Sequence, residues 1–159
     1  MRFVTTLLAL TLAGSAATAS AQGTSIPNLS GTWVLQVDKS DFAGMQAPTA
    51  RTDAFDHQEP KLTIKRAVTA NGQENTTTLV YGIDSKPYKN MVGPSEVTST
   101  LQWEGSTLVS VSTVPNPQGG VVTITDRYEL SQDGKTLTQK RTFSADGQEL
   151  TQTMVLIKQ

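Results

Sequence analysis

Five polar residues fall in phase with the apolar side of segments that otherwise alternate cleanly. Arg66 lies between Ile64 and Val68, Asp126 between Ile124 and Tyr128, Gln139 and Arg141 between Leu137 and Phe143, and Gln152 between Leu150 and Met154. A guanidinium taken out of water without a partner is very costly, so these groups must pair with one another, reach water in a cavity or meet a ligand. In the first case Asp126 anchors an internal ion network, or an Arg stacks on Trp33. In the last, Arg66 and Arg141 present two-pronged donor forks suited to a carboxylate head. Tyr81, Trp103 and Tyr128 then line the wall around a long-chain carboxylate or similar amphiphile, and Gln139 adds a neutral donor.

Other chemistry is thinner. His57 is the single histidine, and no Gly-x-Ser-x-Gly elbow, ordered Ser/His/Asp set or phosphate-cradling glycine loop accompanies it. No enzyme activity, cofactor or metal is expected. A cofactor-free cyclase or isomerase using Tyr81, Tyr128 or Asp126 is the remaining catalytic alternative. Asp53, Asp56, His57 and Glu59 contain ligand types for a divalent ion, but their spacing matches no loop of defined geometry, and they read as a solvated acidic segment beside Pro60.

The elements that must position these residues are strands. Turn signals recur at Asn71-Gly72, Asp84-Ser85, Gly93-Pro94, Glu104-Gly105, Pro117 to Gly120, Asp133-Gly134 and Asp146-Gly147, and about ten residues separate most of them. Threonine alone accounts for 24 residues, which favours pleated strands over helices. Nine strands are expected, at 31–37, 51–57, 61–69, 74–83, 96–104, 107–114, 121–131, 136–144 and 149–158, with 38–50 and 84–95 irregular. One apolar and one polar face on successive antiparallel strands predict an all-β, single up-and-down meander barrel of roughly eight to ten strands.

Residues 1–21 carry a signal-peptide pattern. Arg2 precedes an apolar run from Phe3 to Ala13, and Ala19-Ser20-Ala21 offers a cleavage site. The run is too short to span a bilayer, so a secreted or periplasmic protein is expected, with 22–159 as one domain. Lys plus Arg at 13 against Asp plus Glu at 14 leaves no field for gathering nucleic acid. With no cysteine, core and sheet must supply all the stability.

Gly31-Thr32-Trp33 on the first strand resembles the Gly-x-Trp signature of lipocalins and the wider calycin superfamily. Thr125-Asp126-Arg127-Tyr128 is similar to their Thr-Asp-Tyr motif, with Arg127 added. Small exported bacterial lipocalin-like proteins share such a start, a block like Asp38-Lys39-Ser40-Asp41-Phe42, and one like Leu130 to Thr138. The resemblance implies a barrel that binds a ligand, and an Arg packed over Trp33, for which Arg127 and Arg141 are the candidates. The function expected is therefore binding of a small hydrophobic or amphipathic molecule, a carboxylate-headed one included, by a monomer or weak homodimer. The competing expectation is a solid-core interaction or inhibitor module that contacts partners through 38–50 and 84–95. Processing after Ala21 is expected to leave Gln22 as the first residue, which N-terminal sequencing of the exported protein checks.

Overall fold

The computed structural model describes residues 26–116 and 119–159. The expected signal peptide, 1–21, lies outside the described residues. The strands are β1 (Gly31–Leu35), β2 (Ala50–Gln58), β3 (Lys61–Ala70), β4 (Gln73–Gly82), β5 (Tyr88–Val92), β6 (Ser95–Glu104), β7 (Thr107–Pro115), β8 (Val121–Leu130), β9 (Thr136–Ala145) and β10 (Gln148–Lys158). They form one antiparallel sheet in the order β4-β3-β2-β1-β10-β9-β8-β7-β6-β5. Each strand pairs with its neighbour in sequence, except across the β4/β5 seam, and β1 pairs with β10 to bend the meander into a nearly closed barrel. The one helical piece among the described residues is a single 3-10 turn, Val37–Lys39.

Local chemistry explains the tight corners. Asn71-Gly72 and Asp146-Gly147 join their strands as two-residue turns in which both residues have positive φ, at 52° and 74° and at 51° and 76°. That is the geometry whose twist matches a right-handed hairpin, and Asn-Gly and Asp-Gly adopt it at least cost. Alternating strand directions then gather the long β1–β2 connection and the β3–β4, β5–β6, β7–β8 and β9–β10 turns at one end. The closed end is plugged by Leu29, which is fully buried with Trp33.

One expected loop is structured. Tyr88–Val92, inside the span expected to be irregular, pairs with β6 as a tenth strand. Its pattern of Tyr, Lys, Asn, Met and Val offers no apolar alternation because its inward position is Asn90, buried at the seam. β4 and β5 share no ladder. Instead the Val80 N–H donates to Asn90 Oδ1 at 2.8 Å, and Asn90 Nδ2 donates to the Val80 carbonyl at 3.1 Å. The side-chain amide thus stands in for a strand's own backbone. Tyr88 also crosses the seam over Gly82, where any Cβ would collide with the phenol.

Two part-buried hydrogen bonds that each contribute about 1 kcal/mol hold this junction. Asn90→Ala is expected to cost about 1–3 kcal/mol and to speed hydrogen exchange at the Val80 amide above that of β7 and β8 amides. Unchanged Val80 protection, measured by NMR, would show that the seam is held elsewhere.

Candidate functional site

The polar residues in the apolar phase form one connected belt inside the barrel. β2 alternates Arg51, Asp53, Phe55 and His57 inward, all buried. Asp53, with no exposed surface, accepts Arg66 Nε at 2.8 Å and Arg66 Nη2 at 3.0 Å. It also accepts Arg51 through Nε and Nη2. Arg51 Nη2 donates onward to Gln139 Oε1 at 2.7 Å, and its Nη1 meets the Met154 sulfur at 3.2 Å. Gln139 Nε2 then donates to Asp126 Oδ1 at 2.7 Å, and Asp126 accepts Arg141 Nε at 2.8 Å and Nη2 at 2.9 Å. Register brings these groups together, since Asp53 lies opposite Arg66 and Asp126 opposite Arg141.

The belt joins three guanidiniums to two carboxylates, a formal excess of one positive charge. Burial alone would push the Asp53 carboxyl up, but Arg66 and Arg51 hold it down at about 2. The Asp126 carboxyl is likewise held low, against burial, by Arg141 and Gln139. Burial and Tyr128 push the Tyr81 phenol up to about 12, and burial and the Asp126 carboxylate push Tyr128 up. Both phenols therefore stay protonated as neutral hydrogen-bonding groups, and Asp126 is occupied by cations. None of the three is poised as a general base.

Cavities lie on both sides of the belt. The inner one, about 170 Å³, is bounded by Leu62, Ile64, Leu79 and Leu101 and by Tyr81, Tyr128, Ser99, Ser110 and Ser112. The outer one, about 340 Å³, sits under the β1–β2 connection between Phe42, Met45, Pro48, Val68, Phe143 and Met154. Arg66 and Arg141 line both. Each spends Nε and Nη2 on a carboxylate, and neither Nη1 has a protein hydrogen-bond partner among the described residues.

Of the residues singled out in the sequence, Arg66, Arg141, Tyr81 and Tyr128 meet around the inner cavity. Gln139 is fully buried inside the belt and reaches neither cavity. Trp103 stands at the closed end, where its Nε1 donates to Glu59 Oε1 at 2.7 Å and its ring lies 5.9 Å from that of His57. Gln152 points under the β1–β2 connection and donates to the Phe42 carbonyl at 3.2 Å. Arg51 and Asp53 belong to the belt but were not singled out for it. Only Phe55 marks the inward phase of β2 as apolar, so the strand reads as polar.

The ion-ligand cluster imagined at 53–59 is split by that same alternation. Asp53 and His57 face inward to different partners, while exposed Asp56 accepts from Gln58. Among the described residues no group of three or more His, Asp or Glu is disposed to hold a metal. His57 instead ties down the plug. Its Nδ1 accepts the Leu29 N–H at 3.2 Å, which places its proton on Nε2, 2.9 Å from Glu59 Oε1. Trp33 Nε1 donates to the Leu29 carbonyl at 2.9 Å.

The cation beside Trp33 is neither of the expected arginines. Lys158 Nζ lies 5.3 Å from the Trp33 ring centre, within the range of a cation–π contact. Gly31, at φ 134°, leaves room for the Lys158 stem, which a Cβ would strike. Arg127 is on the outer face and pairs with Glu104 at 2.6 Å, because the added residue in Thr125-Asp126-Arg127-Tyr128 sits within β8 and takes the outward phase. Arg141 is committed to Asp126.

No protein-family model and no curated protein matches the sequence. Solved structures do match. A "secretary abundant heat soluble" protein of Ramazzottius varieornatus superposes with a TM-score of 0.63 at 13% identity, over 82% of this chain and 94% of that one. Apo lipid binding protein 8 of Caenorhabditis elegans gives 0.57 at 12% identity, over 82% and 94%. Zebrafish ileal bile acid-binding protein, complexed with cholic acid, gives 0.56 at 14% identity, over 82% and 98%. The chain has a lipocalin-like barrel fold. At these identities the likeness concerns backbone architecture, so the belt's chemistry must be read from this chain's own side chains.

Because Asp53 is held near 2 in the folded state against an ordinary 3.8, its pairing contributes stability above about pH 4 that is lost as pH falls through about 2. The contribution is about 2 kcal/mol, to order of magnitude. Asp53→Asn, which leaves Arg51 and Arg66 without their anion, is expected to destabilise by about 3–5 kcal/mol at neutral pH and to flatten the acid limb of a pH–stability curve. Urea unfolding between pH 2 and 7 measures both.

Proposed function

We propose that this chain is an exported binding protein that holds a small amphipathic anion in its barrel, the anionic head resting on the Nη1 amino groups of Arg66 and Arg141. The observation that carries this reading is the belt's excess positive charge, set between two cavities that both arginines line. Every ion in the belt has a partner, so the belt also works as a structural brace. It nevertheless lacks one anion for neutrality, and two of its cations keep donors to spare. The fold supports the reading in a second way, since two of the similar barrels are named for binding a lipid and a bile acid. Export rests on the signal-peptide pattern of residues 1–21. Among the described residues no helix is long and apolar enough to cross a membrane.

The test is native mass spectrometry of the exported protein for a co-purified small molecule, followed by titration with anionic amphiphiles ranging from benzoate to palmitate. At least one is expected to bind saturably. Arg66→Ala and Arg141→Ala should each weaken it by about 1.5–3 kcal/mol, the worth of a hydrogen bond to a charged group, roughly a tenfold to hundredfold loss. Thermal unfolding followed in parallel separates lost binding from lost folding. If no amphiphile binds, or if both variants bind normally while losing stability, the belt is a brace and the interaction-module reading takes its place.

A further inference from the structure

The inner cavity restricts the ligand more sharply than the fold does. Its volume of about 170 Å³ is close to that of the ~150 Å³ protein cavity known to accept benzene. It falls short of the roughly 300 Å³ at which pockets for drug-sized ligands begin. One six-membered ring fills such a space, and an extended acyl chain does not.

The lining adds a second restriction. Ser99 and Ser112 satisfy each other at 2.7 Å, and Tyr81 lines the cavity with them. Ser110 Oγ and the Tyr128 hydroxyl have no protein hydrogen-bond partner among the described residues, although both residues are buried and line the cavity. Neither oxygen is sealed within protein, so both open on the cavity itself. Ser110 lies directly opposite Asp126 on the neighbouring strand, beside the Arg141 pair. Two unspent hydroxyls thus line the same ring-sized, largely apolar space as Arg66 and Arg141. A purely hydrocarbon ligand would leave both hydroxyls stripped of water and unpaired, at a cost that favours a molecule with an oxygen to meet them.

We propose that the inner cavity binds a single-ring hydroxylated carboxylate: its ring lies among Ile64, Leu79 and Leu101, its carboxylate on Arg66 and Arg141, and its hydroxyl on Ser110 and Tyr128. This deepens the amphiphile-binding reading and rests on it. The outer cavity, twice as large and lined by Phe42, Met45 and Phe143, is where a longer acyl chain would go instead.

The experiment is calorimetric titration of the mature protein with phenylacetate, its 2-, 3- and 4-hydroxy derivatives, octanoate and palmitate. At least one hydroxyphenylacetate is expected to occupy one site about tenfold more tightly than phenylacetate, the worth of one hydrogen bond, and more tightly than either fatty acid. Tyr128→Phe and Ser110→Ala should shrink that preference to about threefold or less, with the far-ultraviolet spectrum and unfolding midpoint checked in each. Ser110→Val, which narrows the cavity without touching an arginine, should abolish ring-acid binding and spare any binding in the outer cavity. If octanoate or palmitate binds and no ring acid does, this inference falls while amphiphile binding stands. If nothing in the panel binds, both fall. A hydroxyl preference unchanged in both Tyr128→Phe and Ser110→Ala overturns the assignment of those two residues.

Discussion

The Asp53 carboxylate, shared by Arg51 and Arg66 with no exposed surface of its own, is the interaction on which the rest of the interior depends. Taking charges out of water costs several kcal/mol per ion, recovered only where geometry is good and every lone pair and proton is used. Both carboxylates meet it here, through partners on β2, β3, β8 and β9. Sliding any of these strands by one residue would turn its charged groups outward and leave their partners buried and alone. The belt therefore penalises wrong registers far more severely than leucine and valine contacts do, because apolar side chains tolerate an approximate fit.

Holding an ionic layer inside a chain of this size has a second consequence. The belt lies between two cavities that Arg66 and Arg141 both line, so the interior is not packed solid along its length. The barrel is also left without a complete ladder. Between β4 and β5 one asparagine amide does the work of backbone, next to a tyrosine packed on glycine. At the closed end, closure depends on a short relay in which Trp33 donates to the Leu29 carbonyl, the Leu29 N–H donates to His57, and His57 and Trp103 both donate to Glu59. Polar bonds hold both the plug and the seam.

Much of the architecture was legible because period-two alternation and turn residues are local signals. Asn71-Gly72 and Asp146-Gly147 announce their hairpins by chemistry that depends on two residues alone. β5 was missed for the complementary reason: its inward residue, Asn90, makes sense only against the edge of β4, ten residues away in sequence. The cation on Trp33 was misassigned in the same way. Lys158 reaches the ring because β1 and β10, the two ends of the domain, are paired, and Gly31 leaves its stem a channel.

By itself the sequence determined the class of fold, the turns, and the fact that charged residues share the interior face, because side-chain phase along a strand follows from backbone geometry alone. Which charge meets which was decided only by tertiary structure. Arg66 could be paired on paper with Asp126, yet the β2–β3 register sets it against Asp53, a carboxylate whose strand looked solvated, and Gln139 carries the connection across to Asp126. Pair energies depend on separations of a few ångströms, and in a barrel those separations are fixed by where the first and last strands close, which no local pattern encodes.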